Sequence, residues 1–278
     1  MVSEIKSGTP DALVRVDGLT KTFIQKRPFS ARKFVIHALR GVNIVIPRKS
    51  RFALVGESGS GKSTLALCLA RLETLTSGKI WFDGKTVDGA TTSGLTDFRR
   101  RVQIILQDTA GSLNPWMSAE KIIAEPLEVH GIGTASERRQ RAASLMDDVG
   151  LPAARLRDLP HQFSGGERQR LAIARALALS PEFLILDEGF VGLDLLAQAH
   201  LVKLLTELQD ERGLTYLFIS HDLRLMLKLA TEIAILVAGQ VVEQGSPKEI
   251  LANAHHPKTC ALLQAIPGRT LKIETGQA

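Results

Sequence analysis

One short segment restricts the fold of this chain more than any other feature. Residues 56–63, GESGSGKS, match the pattern G-x-x-x-x-G-K-S. The apolar run 52–55 before them predicts a strand, and the spacing of Leu65, Leu69 and Leu72 after them predicts a helix with these side chains on one face. A glycine-rich turn between a strand and a helix is typical of a loop that binds phosphate.

The chemistry of this loop follows from its residue types. Glycine lets backbone N–H groups turn inward around phosphate oxygens, and the start of the next helix contributes the positive end of its dipole. Lys62 is placed for the β- and γ-phosphates, and Ser63 offers a hydroxyl to Mg²⁺. We therefore predict a nucleoside triphosphate site formed by Gly56, Glu57, Ser58, Gly59, Ser60, Gly61, Lys62, Ser63 and Thr64.

Apolar runs elsewhere in the chain predict further strands of one sheet. The runs 52–55, 102–106, 183–186 and 217–219 are continuous rather than alternating, which favours parallel strands buried on both faces. Each is followed by glycine or a polar residue, namely Gly56, Gln107, Asp187 and Ser220 with His221. Ligands of such sheets bind beyond the carboxyl ends of the strands. The pattern predicts an α/β fold with a mostly parallel sheet and one shared active edge.

Helical patterns fill the segments between these runs. Segments 119–129 and 136–149 predict helices in a lobe inserted between two strands, and segments 164–179 and 195–211 predict two more, the last closed by Gly213. We expect a core lobe with the phosphate loop at 10–108 and a helical subdomain at 109–180. The second part of the core would then span 181–250, and a C-terminal extension 251–278.

Two adjacent carboxylates follow the buried run 183–186. Asp187 is placed to hold Mg²⁺ through a water molecule, and Glu188 to polarise an attacking water as a general base. Farther upstream, Ser164, Gly165, Gly166 and Glu167 begin a helix. The Ser-x-x-Glu spacing predicts a capping box, yet each glycine costs about 1 kcal/mol of helix stability relative to alanine. A close approach of an anionic ligand to the helix start explains such glycines, and both interpretations are compatible.

Taken together, these residues resemble the nucleotide-binding subunits of ABC transporters over nearly the whole chain. GESGSGKST at 56–64 is similar to the Walker A loop, FSGGERQR at 163–170 to the signature and LILDE at 184–188 to Walker B with its catalytic glutamate. Gln107 matches the Q-loop glutamine, His221 the switch histidine, and Asp194 ends a GLD segment similar to the D-loop. Phe23 lies where the family stacks an aromatic ring on adenine.

The resemblance implies a P-loop ATPase cassette with ATP and Mg²⁺ as cofactors. It implies a head-to-tail dimer in which each ATP lies between one subunit's P-loop and the other's signature. Catalytic roles would fall to Glu188, His221 and Gln107, and the metal would be held by Ser63, Gln107 and Asp187. Membrane permease subunits would be the partners, and the chain would sit at the cytoplasmic face of the membrane as a peripheral protein.

A narrower resemblance points to one subgroup of importers. QDTAGSLNPWMS at 107–118, HHPKTCALLQAIP at 255–267, the ESGSGKST form of the P-loop and a basic insert near 25–37 are similar to cassettes of oligopeptide, dipeptide and nickel importers. The subgroup implies a second, related cassette as partner, with a pair of identical chains as the alternative, and an external solute-binding protein. The cargo stays open between a peptide, nickel and a metal chelate.

Several positions depart from the family pattern. Glu167 stands where glutamine is usual, Gly189 replaces the usual proline, and Lys258 and Cys260 replace the usual tyrosine and arginine in the tail. The run DEGFVGLD at 187–194 also departs from the family pattern, so the resemblance does not imply the family's D-loop stiffness or its coupling between ATP sites. We expect ATPase activity to survive the Glu167 replacement, because a capping box tolerates it.

Bulk properties leave two alternatives to a transport ATPase. The net charge of +6 is the only support for a DNA-associated ATPase on the same cassette, and the sequence lacks the heptads of a long coiled coil, so we expect no nucleic acid partner. The second alternative is a nucleotide-gated binding module with little hydrolysis, and its support is Gly189 in place of the usual proline. Two cysteines without metal-binding spacing and the absence of a long apolar run indicate a reduced protein that does not span a bilayer.

Overall fold

Two β-sheets form the framework of the computed structural model, which describes residues 11–26, 33–87 and 92–266. Residues 27–32 of the basic insert near 25–37, and all residues of the tail beyond 266, lie outside the described part of the chain. The strands are β1 (Ala12–Lys26), β2 (Lys33–Pro47), β3 (Arg51–Val55), β4 (Ser77–Phe82), β5 (Lys85–Thr86), β6 (Val102–Ile105), β7 (Phe183–Asp187), β8 (Thr215–Ser220), β9 (Glu232–Val237) and β10 (Gln240–Gly245).

Helices cover both faces of the larger sheet and fill the segment between β6 and β7. They are α1 (Lys62–Leu69), α2 (Thr92–Arg101), α3 (Thr109–Ser112), α4 (Ala119–Val129), α5 (Ala135–Asp148), α6 (Gly165–Leu177), α7 (Leu195–Arg212), α8 (Leu223–Leu229), α9 (Pro247–Asn253) and α10 (Pro257–Gln264).

The larger sheet contains all four strands that the apolar runs predict. Its order is β10-β9-β3-β8-β7-β6, and β3, β6, β7 and β8 pair in parallel with their neighbours in this set. Every residue of β7 and β8 is buried, as expected for strands covered on both faces. Only β10 runs antiparallel to its neighbour within this described sheet. The predicted α/β class with a mostly parallel sheet is therefore confirmed.

A second, antiparallel sheet in the order β2-β1-β4-β5 is an addition to the predicted architecture. β1 and β2 form a long hairpin in which β2 buries Val42, Ile44 and Ile46 in alternation. The register of β1 shifts near Gly18, whose φ of +58° marks a bulge, so its alternation is broken along the sequence. Residues of this sheet share one hydrophobic core with β3 and α1.

The helix after the phosphate loop is shorter than predicted. α1 buries Leu65 and Leu69, but it ends there, and Leu72 is 54% exposed. Arg71 has a φ of +55°, and the Leu72 N–H donates to the carbonyl of Leu67. The chain therefore turns out of the helix before Leu72, and the expectation that this leucine shares the buried face is wrong.

The segment between β6 and β7 is helical, with α4 and α6 beginning and ending within two residues of the predicted bounds and α5 one residue earlier. α4 packs against α5 and α6, and the core of this segment continues into β7 and β8. α7 is closed by Gly213, which follows its last residue and has a φ of +65°, as predicted. In the described part of the chain, the structure contains no helix of the length and apolar character needed to cross a membrane.

The described part of the C-terminal extension is anchored by one buried carboxylate. Glu243 Oε1 on β10 accepts hydrogen bonds from the backbone N–H groups of His255 and His256, at 2.7 and 2.5 Å. These donors hold the turn that leads into α10. The two histidines therefore contribute backbone groups to the fold, and within the described residues no cluster of three or more metal-ligating side chains is present.

Candidate functional site

The phosphate loop has the backbone geometry that its glycines predict. Gly61 has a φ of +107°, and a Cβ atom there would lie 2.5 Å from the carbonyl oxygen of Ala38. A Cβ atom on Gly56 would overlap the carbonyl oxygen of Leu236. Larger residues are excluded at both positions, because the loop passes against the backbone of β2 and β9.

Lys62 lies under this loop with little contact to solvent. Its side-chain Nζ donates to the carbonyl oxygens of Gly56 at 2.8 Å and Glu57 at 3.0 Å, and the residue is 6% exposed. Burial lowers the pKa of Lys62 from its usual value, while the carboxylates of Glu188 and Asp187 act in the opposite direction. A desolvated ammonium held in this way favours an anionic ligand over the loop.

Asp187 ends β7 directly beside the loop and is 3% exposed. Burial raises the pKa of Asp187, and a hydrogen bond from the Ser63 side chain opposes that shift. Its Oδ1 atom is buried and has no hydrogen-bond partner among the described residues. A buried, unpaired carboxylate oxygen next to a hydroxyl is a donor set that suits a hard cation such as Mg²⁺.

Glu188 is held in an uncommon backbone conformation with a φ of +52°. Its N–H donates to the carbonyl of Ile219 on β8 at 2.9 Å, which fixes the turn after β7. The carboxylate faces the His221 ring, whose Nδ1 lies 3.1 and 3.0 Å from the two oxygens. Non-glycine residues with positive φ are enriched at functional sites, and this one aims a carboxylate across the carboxyl edge of the sheet.

These groups surround a cavity of about 940 Å³ at that edge. Of the side chains predicted for the nucleotide, Phe23, Gln107, Glu188, His221 and most of the loop line it, while Ser60 and Asp187 lie buried beneath it. Sequence reasoning missed the part of the lining that comes from β2, from the turn between β9 and β10 and from α10. Its members are Ile36, His37, Ala38, Arg40, Ala238 and Leu262.

The remaining predicted residues line a different cavity of about 250 Å³. Ser164, Gly165, Gly166 and Glu167 form one side of it, and Asp194 lies on the other. None of its lining residues, as described, is shared with the larger cavity. A single chain therefore brings the predicted site residues together as two groups rather than one.

The start of α6 has the predicted capping box. The Glu167 carboxylate accepts from the Ser164 N–H at 2.8 Å, and the Glu167 N–H donates to Ser164 Oγ at 3.2 Å. A guanidinium N–H of Arg155 also donates to the Glu167 carboxylate, at 2.7 Å. The hydrogen bond from Ser164 and the nearby Arg155 lower the pKa of Glu167. The departure from glutamine is thus accommodated locally by a capping contact and an arginine.

Gly189 follows the strained Glu188 in a tight space. A Cβ atom on Gly189 would lie 3.2 Å from Gln169 Nε2 and 3.3 Å from the Leu186 side chain. Gln169 is 5% exposed and accepts a hydrogen bond from Thr109. Glycine therefore leaves room here for a buried amide that links α6 to the start of the helical segment.

Glu57 of the loop also contacts the C-terminal extension. The Lys258 ammonium at the start of α10 donates to its carboxylate at 2.9 Å, and both side chains are about half exposed. The sequence motifs alone give no signal of this pair, because 201 positions separate its members.

Comparison with known proteins agrees with this geometry. A family model described as ABC transporter matches residues 39–191. The chain is 39% identical over 269 residues to the dipeptide transport ATP-binding protein DppF of Haemophilus influenzae, covering 96% of this chain and 81% of that protein. It is 43% identical over 244 residues to the oligopeptide transport ATP-binding protein OppF of Bacillus subtilis, covering 87% and 80%.

Solved structures with the same fold include a dimeric ATP-binding cassette in a post-hydrolysis state with ADP and phosphate. It is 30% identical, with a TM-score of 0.74, and the match covers 84% of this chain and 98% of that one. Another is cbiO1 from Clostridium perfringens, part of the transporter complex cbiONQ, at 30% identity and a TM-score of 0.75. That match covers 87% of this chain and 92% of cbiO1.

Proposed function

This chain belongs to the ABC transporter family and is one of its ATPases, and we propose that it powers the uptake of peptides through a separate permease. The observation that carries the proposal is the convergence of the phosphate loop, Glu188 and His221 on one cavity, with Asp187 buried beneath it. The cavity lies at the carboxyl edge of the larger sheet, where α/β folds bind their ligands. The chemistry of its residues fits a nucleoside triphosphate and an attacking water.

Binding of the triphosphate is assigned to the loop and its neighbours. Residues 56–64 surround the phosphates, and Lys62 exchanges its contacts to the loop carbonyls for phosphate oxygens. Phe23 stacks on the base from the β1 side of the cavity. Mg²⁺, when bound, supplies positive charge to the β- and γ-phosphates, and Ser63, Asp187 and Gln107 are the residues that would hold it.

Hydrolysis is assigned to Glu188 and His221. Glu188 takes the proton of the attacking water, and its paired contacts with His221 Nδ1 keep the carboxylate aimed into the cavity. The His221 side chain is 61% exposed, so it has room to turn from Glu188 toward a γ-phosphate when ATP is bound. Gln107, which follows β6 and is exposed to the cavity, orients the water and the metal. Catalysis in this arrangement is mainly positioning and charge stabilisation.

The second cavity supports assembly with another cassette. Ser164, Gly165, Gly166 and Glu167 form a helix start that suits the phosphates of an ATP bound to a partner. The capping box uses the N–H groups of Ser164 and Glu167, so those of Gly165 and Gly166 are assigned to the phosphates. Asp194 follows at the start of α7. We propose a related cassette rather than a second copy as partner, because the dipeptide and oligopeptide relatives belong to the subgroup for which sequence analysis implies a heterodimer.

The remaining assignments concern the chain's surroundings. We propose permease subunits and an external solute-binding protein as further partners, with the chain at the cytoplasmic face of the membrane. We propose a division into core segments 10–108 and 181–250, a helical subdomain 109–180 and a C-terminal extension 251–278. The helical subdomain would transmit the state of Gln107 to the permease. Peptide is proposed as cargo because DppF and OppF are named for dipeptides and oligopeptides. Neither nickel nor a DNA-associated role gains support from these names.

The test is to purify the tagged chain from detergent-solubilised membranes and to identify its companions by mass spectrometry. Two permease subunits and a second cassette are the expected result. Recovery without any membrane protein, or together with DNA-associated proteins, would overturn the transport assignment and leave the ATPase chemistry standing. Uptake of labelled dipeptides and of nickel by cells with and without the chain then separates the two cargo classes.

A further inference from the structure

Lys21 on β1 is a buried lysine outside the residues discussed so far. It is 7% exposed, and its ammonium donates to Glu73 Oε1 at 2.6 Å and to the carbonyl of Thr74 at 2.7 Å. Both acceptors belong to the segment that follows α1. Burial of an ammonium is costly unless its donors are paired, and here two are paired within one short turn. Lys21 is thereby fixed in place.

The fixed ammonium also lies over the ring of Phe23. Its Nζ atom is 4.7 Å from the ring centroid, within the range of a cation–π contact. Lys21 and Phe23 are two positions apart on β1, whose register with β2 shifts between Lys21 and Thr22, and the two side chains meet on one side of the strand. Phe23 lines the nucleotide cavity, and Lys21 does not. The lysine thus contacts the ring from outside the cavity.

From this geometry we infer that Lys21 is a positioning residue for the base of the nucleotide, acting through Phe23. The inference rests on the proposed role of Phe23 as the ring that stacks on the base. Lys21 occupies one side of the ring and leaves the cavity side for the base. Glu73 and Thr74 in turn hold the ammonium, so the stacking ring is connected to the segment after α1.

Charge complementarity supports this chain of contacts. The hydrogen bond from Lys21 lowers the pKa of Glu73, which therefore stays ionised and anchors the ammonium. A cation over one face of an aromatic ring is attracted by the negative charge of that face, and this attraction limits rotation of the ring. On the far side of the hairpin, Phe23 pairs with Ile36, which also lines the cavity. Pairing with β2 thus fixes the backbone that carries the ring, and Lys21 contacts the ring itself before the base arrives.

The experiment measures how much of the affinity depends on the base. For the full chain, dissociation constants are determined with Mg²⁺ for ATP and for inorganic triphosphate. The ratio of the Kd for triphosphate to the Kd for ATP reports the contribution of adenosine to affinity. Lys21→Met keeps the length and the apolar stem of the side chain but removes its charge. We expect the ratio to fall about fivefold in this variant, with a matching rise of KM for ATP and kcat within about twofold of the wild type. Lys21→Arg, which keeps a cation that stacks on aromatic rings, is expected to restore the ratio.

Several outcomes would overturn the inference. An equal loss of affinity for ATP and triphosphate in Lys21→Met would mean that the lysine supports the fold or the loop, not the base. An unchanged ratio would mean that it does not act on Phe23. If Lys21→Met does not fold, Glu73→Gln is used in its place. This substitution weakens the hydrogen bond that positions the Lys21 ammonium but keeps the ammonium itself. A ratio lowered at least about twofold is expected there, and an unchanged ratio contradicts the inference.

A further variant separates this inference from the proposed function. Phe23→Ala removes the ring itself and is expected to lower the ratio at least as much as Lys21→Met. If Phe23→Ala leaves the ratio unchanged, the proposed stacking role of Phe23 is wrong, and the inference about Lys21 is overturned with it. If Phe23→Ala lowers the ratio and Lys21→Met does not, only the inference about Lys21 fails.

Discussion

The two cavities of this chain differ in how well their polar groups are satisfied. The larger one contains a desolvated Lys62, an unpaired oxygen on Asp187 and a strained backbone at Glu188. The smaller one is built on the capped start of α6, where Ser164 and Glu167 already satisfy each other. In the first site, a bound ligand would supply the missing partners of Lys62 and Asp187. The second site is a stable helix end whose capping box leaves out only the N–H groups of Gly165 and Gly166 among its first four residues.

The two sites also differ in how exposed their residues are to solvent. Asp187 and Lys62 are almost fully buried, while the D-loop side of the smaller cavity adjoins Leu195 and Leu196, which are 75% and 67% exposed. Exposed leucines beside an exposed helix start are typical of a surface that another protein covers. Changes in the first cavity should therefore abolish nucleotide chemistry, and changes in the second should affect hydrolysis while leaving binding intact.

Lys62→Ala is expected to have the largest effect. Loss of the ammonium removes the charge that faces the phosphates, so we expect ATP affinity to fall at least about tenfold and hydrolysis at least about 100-fold. Isothermal calorimetry and phosphate release measure the two effects. Lys203→Ala, at an exposed position on α7, is the matched control and should behave as the wild type. Wild-type hydrolysis in Lys62→Ala would show that the larger cavity is not the ATPase site.

Gly165→Asp tests the smaller cavity with a substitution that should stabilise α6, so that a loss of hydrolysis cannot be attributed to unfolding. Apart from its chain neighbours and the backbone of its own helix, no described atom lies within 4 Å of the position its Cβ would take. A negative charge at a helix start is also stabilising. We expect an unchanged or raised melting temperature and ATP affinity within about threefold of the wild type. Hydrolysis in the purified transporter complex should fall at least about tenfold, because the carboxylate repels the partner's ATP phosphates.

Gly165→Asn is the matched neutral variant, and its hydrolysis should be reduced less than that of Gly165→Asp. A wild-type rate in the aspartate variant would break the comparison between the cavities, since it would mean that the start of α6 does not face a nucleotide.

Asp187→Asn tests whether the buried, ionised carboxylate of the first site destabilises the protein when no ligand is bound. The raised pKa of Asp187 means that its ionised form is unfavourable in the folded protein, so the amide should raise the melting temperature at pH 7 by about 2 °C in the absence of nucleotide. As the pH falls through that raised pKa, the wild-type carboxyl takes up a proton and regains the lost stability, and the difference should shrink.

Thermal melts from pH 7 down to pH 4 check this expectation, and Mg²⁺-dependent phosphate release should be lost in the same variant. A melting temperature of Asp187→Asn below that of the wild type at pH 7 would mean that the ionised carboxylate stabilises the fold, and the first site would then have no unmet electrostatic need at this residue.

Lys258→Ala is expected to have the smallest effect. Its ion pair with Glu57 touches the phosphate loop, but both side chains are about half exposed, and such pairs contribute about 0–1 kcal/mol. We expect ATP affinity within about threefold of the wild type, with a difference that disappears in high salt. A loss as large as that in Lys62→Ala would show that α10 is an integral part of the first site.

The sequence predicted the first cavity better than its surroundings. The phosphate loop, Asp187, Glu188 and His221 each follow a strand at a fixed offset, so a parallel sheet brings them to one edge whatever the loops do. Ala38, Arg40 and Leu262 reach the cavity through the β1–β2 hairpin and the tail, whose docking depends on pairing between distant segments. Periodicity along the chain carries no information about such pairing.

The same distinction explains the smaller errors. Leu72 fits the helical spacing of Leu65 and Leu69, but the left-handed backbone at Arg71 turns the chain away. The antiparallel sheet escaped prediction because the bulge at Gly18 interrupts the alternation of β1. The contact between Lys21 and Phe23 depends on the acceptors at Glu73 and Thr74, some 50 residues away.

Hydrolysis by Glu188→Gln tests the central claim most directly. The amide keeps the size of the side chain but cannot take the proton of the attacking water. We predict ATP affinity within about threefold of the wild type and phosphate release reduced at least about 100-fold, while Glu207→Gln, at an exposed position on α7, keeps the wild-type rate. Phosphate release near the wild-type rate in Glu188→Gln would contradict the assignment of Glu188 as the general base.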